Sequence, residues 1–320
     1  MARPVLIVNS RSGTPRRRRR FLRALDALGG ERRFDLRRPG SAEQAAEQAA
    51  AAWLGGAPLI ISAGGDGSMR AVAGGLLEAA AQRPAPLLGL VPLGRGNDLV
   101  RGLGLPLDPG RALEALAGRG ASGETAPLDV GHVTIDGREA IFINALGIGL
   151  DAEVARRAGS IALEGLPAYL VALLGALAAG LRPWPATVRI DQRPAREVPA
   201  LLMTIGNGPS TGGGFRLVPH AAATDGVLDY CIGRQGPWLS ILGLVPRVLR
   251  GRHGGHRLVE MGRCTDFEVS FSRPVAVHAD GEVLATAAEH CRVGLDAAAL
   301  RLARGGAILA APTGSGERRG

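Results

Sequence analysis

Three short apolar runs in the first hundred residues each end in a glycine-rich polar turn and then restart at helical spacing. "PVLIVN" (4–9) leads into "NSRSG" (9–13), "PLIISA" (58–63) into "GGDGS" (64–68), and "PLLGLVPL" (86–93) into "GRGND" (94–98). Continuous apolar runs of this length are candidate strands buried on both faces. Helical stretches fall between them: about Arg16 to Leu28, 41–54 with Ser41 as N-cap, and 68–82. "NDLVRGLGL" and "DPGRALEALAGR" add further helices, the latter opening with Asp108 as cap and Pro109 at its first position. Strand and helix alternating over short links predict a doubly wound, Rossmann-like parallel sheet. Ligands of such sheets gather beyond the carboxyl ends of the strands, and all three turns fall there.

From about Leu128 the pattern changes. "PLDVGHVTI", "REAIFINALGIG", "ATVRID", "VPALLMTIGNG", "FRLVPHA", "GVLDYCIG", "DFEVSFS", "PVAVHADG" and "CRVGL" read as strands separated by turns, with helices only over 165–181 and 237–250. This predicts an antiparallel, β-rich, sandwich-like second domain. The 320-residue length fits about two domains. The expected division is 1–126 and 127–295, with "GASGETAP" as hinge, the chain end at about 296–312 a candidate to complete the first domain, and 313–320 a disordered tail.

The chain carries 38 basic residues against 29 acidic ones, a net charge of +9, and every basic side chain is arginine. Such a balance suits a polyanionic partner. Nucleic acid is excluded as the expected one: aromatics are 3 % of the chain and no zinc-finger, RNP or zipper pattern appears. Cys231, Cys264 and Cys291 are odd in number, widely spaced and without CxxC, which fits small buried thiols in a reducing compartment. The start "MARPVLIVNSRSG" has too short an apolar core for a signal peptide. The apolar stretch 165–181, broken by Pro167, falls just short of spanning length. A cytoplasmic protein is expected.

"GGDGS" alone has two readings. Gly-Asp-Gly is ordinary turn chemistry. Equally, glycines let backbone N–H groups approach an anion closely, and the helix beginning at Ser68 adds partial positive charge. An acid in that position would need a divalent cation between it and phosphate, so Asp66 suggests Mg²⁺. "GRGND" offers Asn97 and Asp98 either as caps or as ligand-orienting groups. The Walker A ending is absent. "GIGLDA" (147–152) fits a dinucleotide fingerprint, but the sequence beyond it lacks the continuation such a unit needs. Asp225 and Asp229 in "DGVLDY" could bind a metal or cap a turn. "ADGEV" (279–283) reads as a type I′ hairpin turn that can also present Asp280 or Glu282 to a hydroxyl. The histidines show no metal-ligand spacing, and the basic stretch "RGRHGGHR" (250–257) reads as a solvated loop.

Taken together these segments resemble the diacylglycerol kinase catalytic family and its bacterial lipid-kinase relatives. The family's N-P-x-S-G-like loop stands here as Asn9-Ser10-Arg11-Ser12-Gly13, and G-G-D-G-[TS] as Gly64-Gly65-Asp66-Gly67-Ser68. P-x-G-T-x-N-D-[FL]-[AS]-R stands as Pro92-Leu93-Gly94-Arg95-Gly96-Asn97-Asp98-Leu99-Val100-Arg101. "FINALGIGLDAEV" (142–154), "GNGPSTGGGFRLVPHAAATDGVLDY" (206–230) and "HADGEVL" (278–284) match its later segments in order. The resemblance implies ATP and Mg²⁺ as cofactors and the three loops as nucleotide-binding walls. It implies Asp280 as general base, with Glu282 close behind. It also implies a structural Mg²⁺ on the Asp225 carboxylate and backbone carbonyls of Ala222 and Val227.

Two family positions are altered, Ser68 and Arg95, of which Arg95 replaces a nucleotide-binding threonine; Ser10 also stands where the first loop carries proline. Ser68 for threonine keeps the hydroxyl. The expected function is an ATP-dependent lipid kinase that phosphorylates a diacylglycerol-like or related lipid, with its substrate at a membrane surface and a homodimer left open. The alternatives are a catalytically impaired nucleotide- or lipid-binding pseudokinase, caused by Arg95, and an NAD kinase-like enzyme.

Overall fold

The computed structural model describes residues 2–117, 124–161, 163, 166–180 and 183–304. The first half runs β1 (Val5–Val8), α1 (Pro15–Ala27), β2 (Asp35–Arg37), α2 (Ala42–Leu54), β3 (Ile60–Gly64), α3 (Asp66–Ala80), β4 (Leu87–Pro92), α4 (Asp98–Gly102) and α5 (Pro109–Ala117). The sheet order β2-β1-β3-β4 is parallel throughout, with Val5 opposite Ile60 and Ile60 opposite Leu88. Every residue of β1, β3 and β4 is buried, as strands covered by helices on both faces must be. The predicted caps form: the Ser41 hydroxyl accepts from the Gln44 N–H, and Asp108 Oδ1 from the N–H groups of Gly110 and Arg111. Edge strand β2 escapes sequence reading because it is three residues long and only half-buried.

The second half comprises β5 (Thr125–Ile135), β6 (Arg138–Phe142), β7 (Ala145–Gly149), α6 (Leu150–Gly159), α7 (Leu166–Ala178), β8 (Trp184–Ile190), β9 (Arg196–Gly206), β10 (Leu228–Arg234), α8 (Trp238–Leu249), β11 (Val259–Cys264), β12 (Asp266–Ala279) and β13 (Glu282–Ala303). Pairing is antiparallel within this half. The 22-residue β13 links both halves: Arg301 and Leu302 pair in parallel with Leu87 and Leu88 of β4, so residues past 300 extend the first sheet. Residues 120–123 of the predicted hinge lie outside the described residues while Thr125 to Pro127 open β5, and the predicted tail lies wholly outside the described ones.

Several local expectations are corrected. "FRLVPHA" is no strand: it holds only an isolated bridge between Thr211 and Phe215. Pro219 lacks a ladder N–H, and Gly212, Gly213 and Gly214 all take positive φ just before it. A helix, α6, follows "GIGL" where none was expected, but β7 before it pairs antiparallel with β9 and β12, so the stretch is not a Rossmann unit. The stretch 250–257 is not uniformly solvated, since His253 is buried and within 3.0 Å of the Leu217 carbonyl oxygen. All three cysteines are buried and free. No described helix is long and apolar enough to cross a membrane.

Candidate active site

The three glycine-rich loops meet. Asn9 Nδ2 donates to Ser68 Oγ at 2.8 Å, joining the first loop to the second. The N–H groups of Leu93 and Gly94 both donate to the Gly64 carbonyl, joining the second to the third. Glycine is required at that crossing, because a Cβ on Gly94 would stand 2.4 Å from the Cα of Gly65. Asn97, fully buried, takes a left-handed φ of 53° and donates from Nδ2 to the Gly94 carbonyl at 2.7 Å. That bond holds the chain so that Asp98 opens α4 toward the second domain.

Two cavities of mixed polar and apolar lining flank these loops. One, beyond the ends of β1 and β3, is lined by Asn9, Arg11, Gly40, Ser41, Ser62, Gly67, Ser68 and Glu282. The hydroxyl of Ser62 is buried there without a partner among the described residues. Glu282 pairs with Arg70 across this rim. Ser10, Ser12, Gly13, Gly64, Gly65 and Gly94 line neither cavity; they shape the loops. The second cavity is the cleft between domains, lined by Asp66, Arg95, Gly96 and Asp98 from one side and Asn144, Tyr169, Gly212, Asp280 and Gly281 from the other. Asp280 and Glu282, paired as candidates in the sequence, therefore serve different cavities.

Three carboxylates converge on the cleft. Asp280 and Gly281 form the hairpin turn joining β12 to β13, with φ of 50° and 84° as a type I′ turn needs. The Asp280 carboxylate accepts from the backbone N–H groups of Ile143, Asn144 and Ala145 at 2.9, 2.9 and 3.0 Å. Burial nonetheless outweighs these bonds and pushes its pKa up. Asp98 accepts from the Gly213 N–H at 2.7 Å and from Ser210 Oγ at 3.3 Å, which ties the two domains together. Its pKa is likewise raised by burial. Asp66 accepts from the Leu99 N–H at 3.3 Å. Desolvation first, then the charges of Asp98 and Asp280, push it up to about 7.

Asp66 and Asp98 are the carboxylates that could give a divalent cation its oxygen ligands: Asp66 Oδ2 and Asp98 Oδ2 both lie beside Gly96, each 3.2 Å from where a Cβ there would stand. No three His, Cys, Asp or Glu side chains among the described residues stand close enough to hold a metal by themselves. An ion there would take its remaining ligands from phosphate and water, as Mg²⁺ habitually does. The turn at Asp225 differs. Its carboxylate pairs with Arg263, whose Nε also lies 3.5 Å from Asp229 Oδ2. The Ala222 carbonyl accepts from the Thr224 and Asp225 N–H groups, and the Val227 N–H donates to Asp225 Oδ1 at 3.4 Å. That turn carries its own counter-cation.

Behind the cleft lies a third cavity, apolar, enclosed by α6, α7, α8 and strands β9 and β10. Leu150, Leu173, Leu201, Leu244 and Val248 line it, and Tyr169, Thr211 and Gly212 belong to both its wall and the cleft's. Sequence reasoning missed Tyr169, Asn144 and Arg70. A signal existed for the first: Tyr169 is one of two tyrosines in the chain and the lone polar aromatic within an Ala- and Leu-rich helix.

Residues 3–133 match the diacylglycerol kinase catalytic domain, and residues 144–303 match the YegS C-terminal NAD kinase beta sandwich-like domain. A YegS-like lipid kinase of Chromohalobacter salexigens is 35 % identical over 55 % of this chain and 54 % of its own length. A diacylglycerol kinase of Mycobacterium tuberculosis is 31 % identical over 75 % of this chain and 72 % of that protein. The crystal structure of a diacylglycerol kinase from Bacillus anthracis superposes with a TM-score of 0.68 at 18 % identity, covering 96 % of this chain and 98 % of that one. The chain belongs to the diacylglycerol kinase-like family of lipid kinases.

Proposed function

We propose that this protein transfers the γ-phosphoryl group of ATP to a hydroxyl of a diacylglycerol-like lipid. The observation that carries the reading is the order of its cavities. The cleft holding Asp66, Asp98 and Asp280 adjoins the cavity at the strand ends through Asp66–Gly67 and Gly281–Glu282, and shares Tyr169, Thr211 and Gly212 with the apolar cavity of the second domain. Nucleotide on the glycine-rich loops and acyl chain among the leucines would bring γ-phosphorus and acceptor hydroxyl together at the carboxylates.

In that arrangement the acceptor oxygen forms the new bond to phosphorus while the bond from phosphorus to the β-phosphate bridge breaks. The leaving electron pair goes to ADP, and the hydroxyl proton goes to Asp280. The raised pKa of Asp280 suits a base that must take that proton. Its three backbone donors hold the carboxylate in one orientation. Mg²⁺ bound between Asp66, Asp98 and the phosphates would neutralise charge on the transferring group. Arg95, on the same cleft, adds a positive charge of the chain's own beside that position.

Access to a lipid needs a membrane face. Val171 and Leu174 on α7 and Trp238 and Leu239 on α8 are exposed, while Leu173 and Leu244 of the same two helices line the apolar cavity. This supports peripheral contact in which both helices dip into the bilayer surface and the cavity opens toward lipid. The test is a lipid panel with labelled ATP and Mg²⁺. The reading expects label in a phospholipid made from diacylglycerol; label in NAD, or in no lipid, would sink it.

A further inference from the structure

We propose that Tyr169 seats the acceptor lipid, closing the apolar cavity with its ring and donating its phenol O–H to a headgroup oxygen beside the reacting hydroxyl. The inference rests on the lipid-kinase reading and deepens it. Tyr169 lines both the apolar cavity and the carboxylate cleft, so it stands on the wall any lipid bridging the two must cross. Its ring is fixed against the 211–213 loop: a Cβ on Gly212, at φ 64°, would lie 2.8 Å from Tyr169 Cδ1. The same loop holds Asp98 through the Gly213 N–H. The ring's position is thus coupled to the loop that orients a cleft carboxylate.

The hydroxyl end points the other way. Tyr169 Oη lies 3.8 Å from where a Cβ on Gly281 would stand, next to Asp280 in the hairpin turn. That hydroxyl makes no hydrogen bond to a described residue, and Tyr169 is half-buried, so a bound ligand can reach it. Burial and the surrounding charges of Asp98, Asp151 and Asp66 push its pKa well above the usual phenol value. It therefore stays protonated and acts as a donor. The cleft's carboxylates are acceptors, so a neutral donor there is matched to an oxygen of the ligand. In a 1,2-diacylglycerol the alkoxy oxygens of the two esters lie three and four bonds from the hydroxyl oxygen. The substrate class favoured is a glycerolipid with such an oxygen, over a simple long-chain alcohol.

The test compares wild type with Tyr169→Phe on a short-chain diacylglycerol and on a primary alcohol of matched chain length, both in mixed micelles, with the KM for ATP read alongside. Loss of one hydrogen bond lowers kcat/KM for the diacylglycerol about tenfold and leaves the alcohol and ATP values unchanged. Tyr169→Ala, which opens the wall, narrows the preference between the two acceptors further. Equal losses on both acceptors, or no loss at all in Tyr169→Phe, would overturn the role of Tyr169 while the active wild type upholds the lipid reading. A wild type that phosphorylates no lipid would overturn both.

Discussion

The acidic cleft and the apolar cavity share Tyr169, Thr211 and Gly212, yet their walls are opposite in kind. The cleft gathers three carboxylates whose pKa values are all raised. Grouping buried acids costs stability, and nothing in folding rewards it; such a cluster marks a site where charge is to be met by a ligand. The apolar cavity makes no such demand. Its leucines and valines leave open space, which is what an acyl chain needs on the proposed reading. On that reading one wall supplies chemistry and the other room, and the shared residues align the two.

The largest effect should come from the cleft. Asp280→Asn keeps the acceptors for two of the three backbone donors but removes the base, and kcat should fall by roughly 10²–10⁴ with the KM for ATP held. Steady-state kinetics at saturating lipid measures it. Next is Arg95→Thr. If its charge assists the transferring phosphate, kcat/KM for ATP falls about tenfold, as loss of a charge-assisted bond predicts. A rise in activity would show instead that the arginine obstructs the cleft.

The apolar side should respond more mildly and more selectively. Leu244→Trp fills the cavity, and long-chain acceptors should lose kcat/KM while short-chain ones keep it, as an acyl-length series would show. Trp238→Ser with Leu239→Ser removes exposed apolar area, 61 % and 64 % exposed respectively. Vesicle sedimentation should show weaker membrane partition, with turnover of a soluble short-chain lipid unchanged.

The smallest effect concerns stability. Burial and the neighbouring carboxylates push the Asp66 pKa in the folded protein up to about 7, well above the ordinary aspartate value of 3.8. The protonated form is thus favoured by folding, and this contribution is complete below about pH 4 and is lost as pH rises through about 7. Asp66→Asn should therefore melt a few degrees above wild type at pH 8 without divalent cation, and the gap should close toward pH 4. Thermal melts across that range check the sign.

The parallel half was highly legible in the sequence. Fully buried strands such as β3 read as unbroken apolar runs, and caps such as Ser41 mark helix starts through one side-chain bond. The glycine-rich turns were legible for the same reason: Gly65 and Gly94 press backbone on backbone and tolerate no side chain. The antiparallel half was less so. Long strands β12 and β13 read as fragments because register shifts interrupt their alternation, for example between Ser270 and Val275 and between Asp296 and Leu300. Tyr169 was invisible as a site residue because its meaning comes from the loop at Gly212, more than forty residues away in the chain. Likewise, the division of Asp280 and Glu282 between two cavities follows from how the hairpin meets α3, which their spacing does not reveal.

Phosphoryl transfer to lipid at the acidic cleft is tested by label transfer from γ-labelled ATP to diacylglycerol, run in parallel for wild type and Asp280→Asn with ATP binding checked in both by calorimetry. The account predicts labelled phosphatidic acid from the wild type and at least about a hundredfold less from the variant, with nucleotide affinity equal in the two. Equal labelling by both proteins, or none by a wild type that binds ATP, would contradict it.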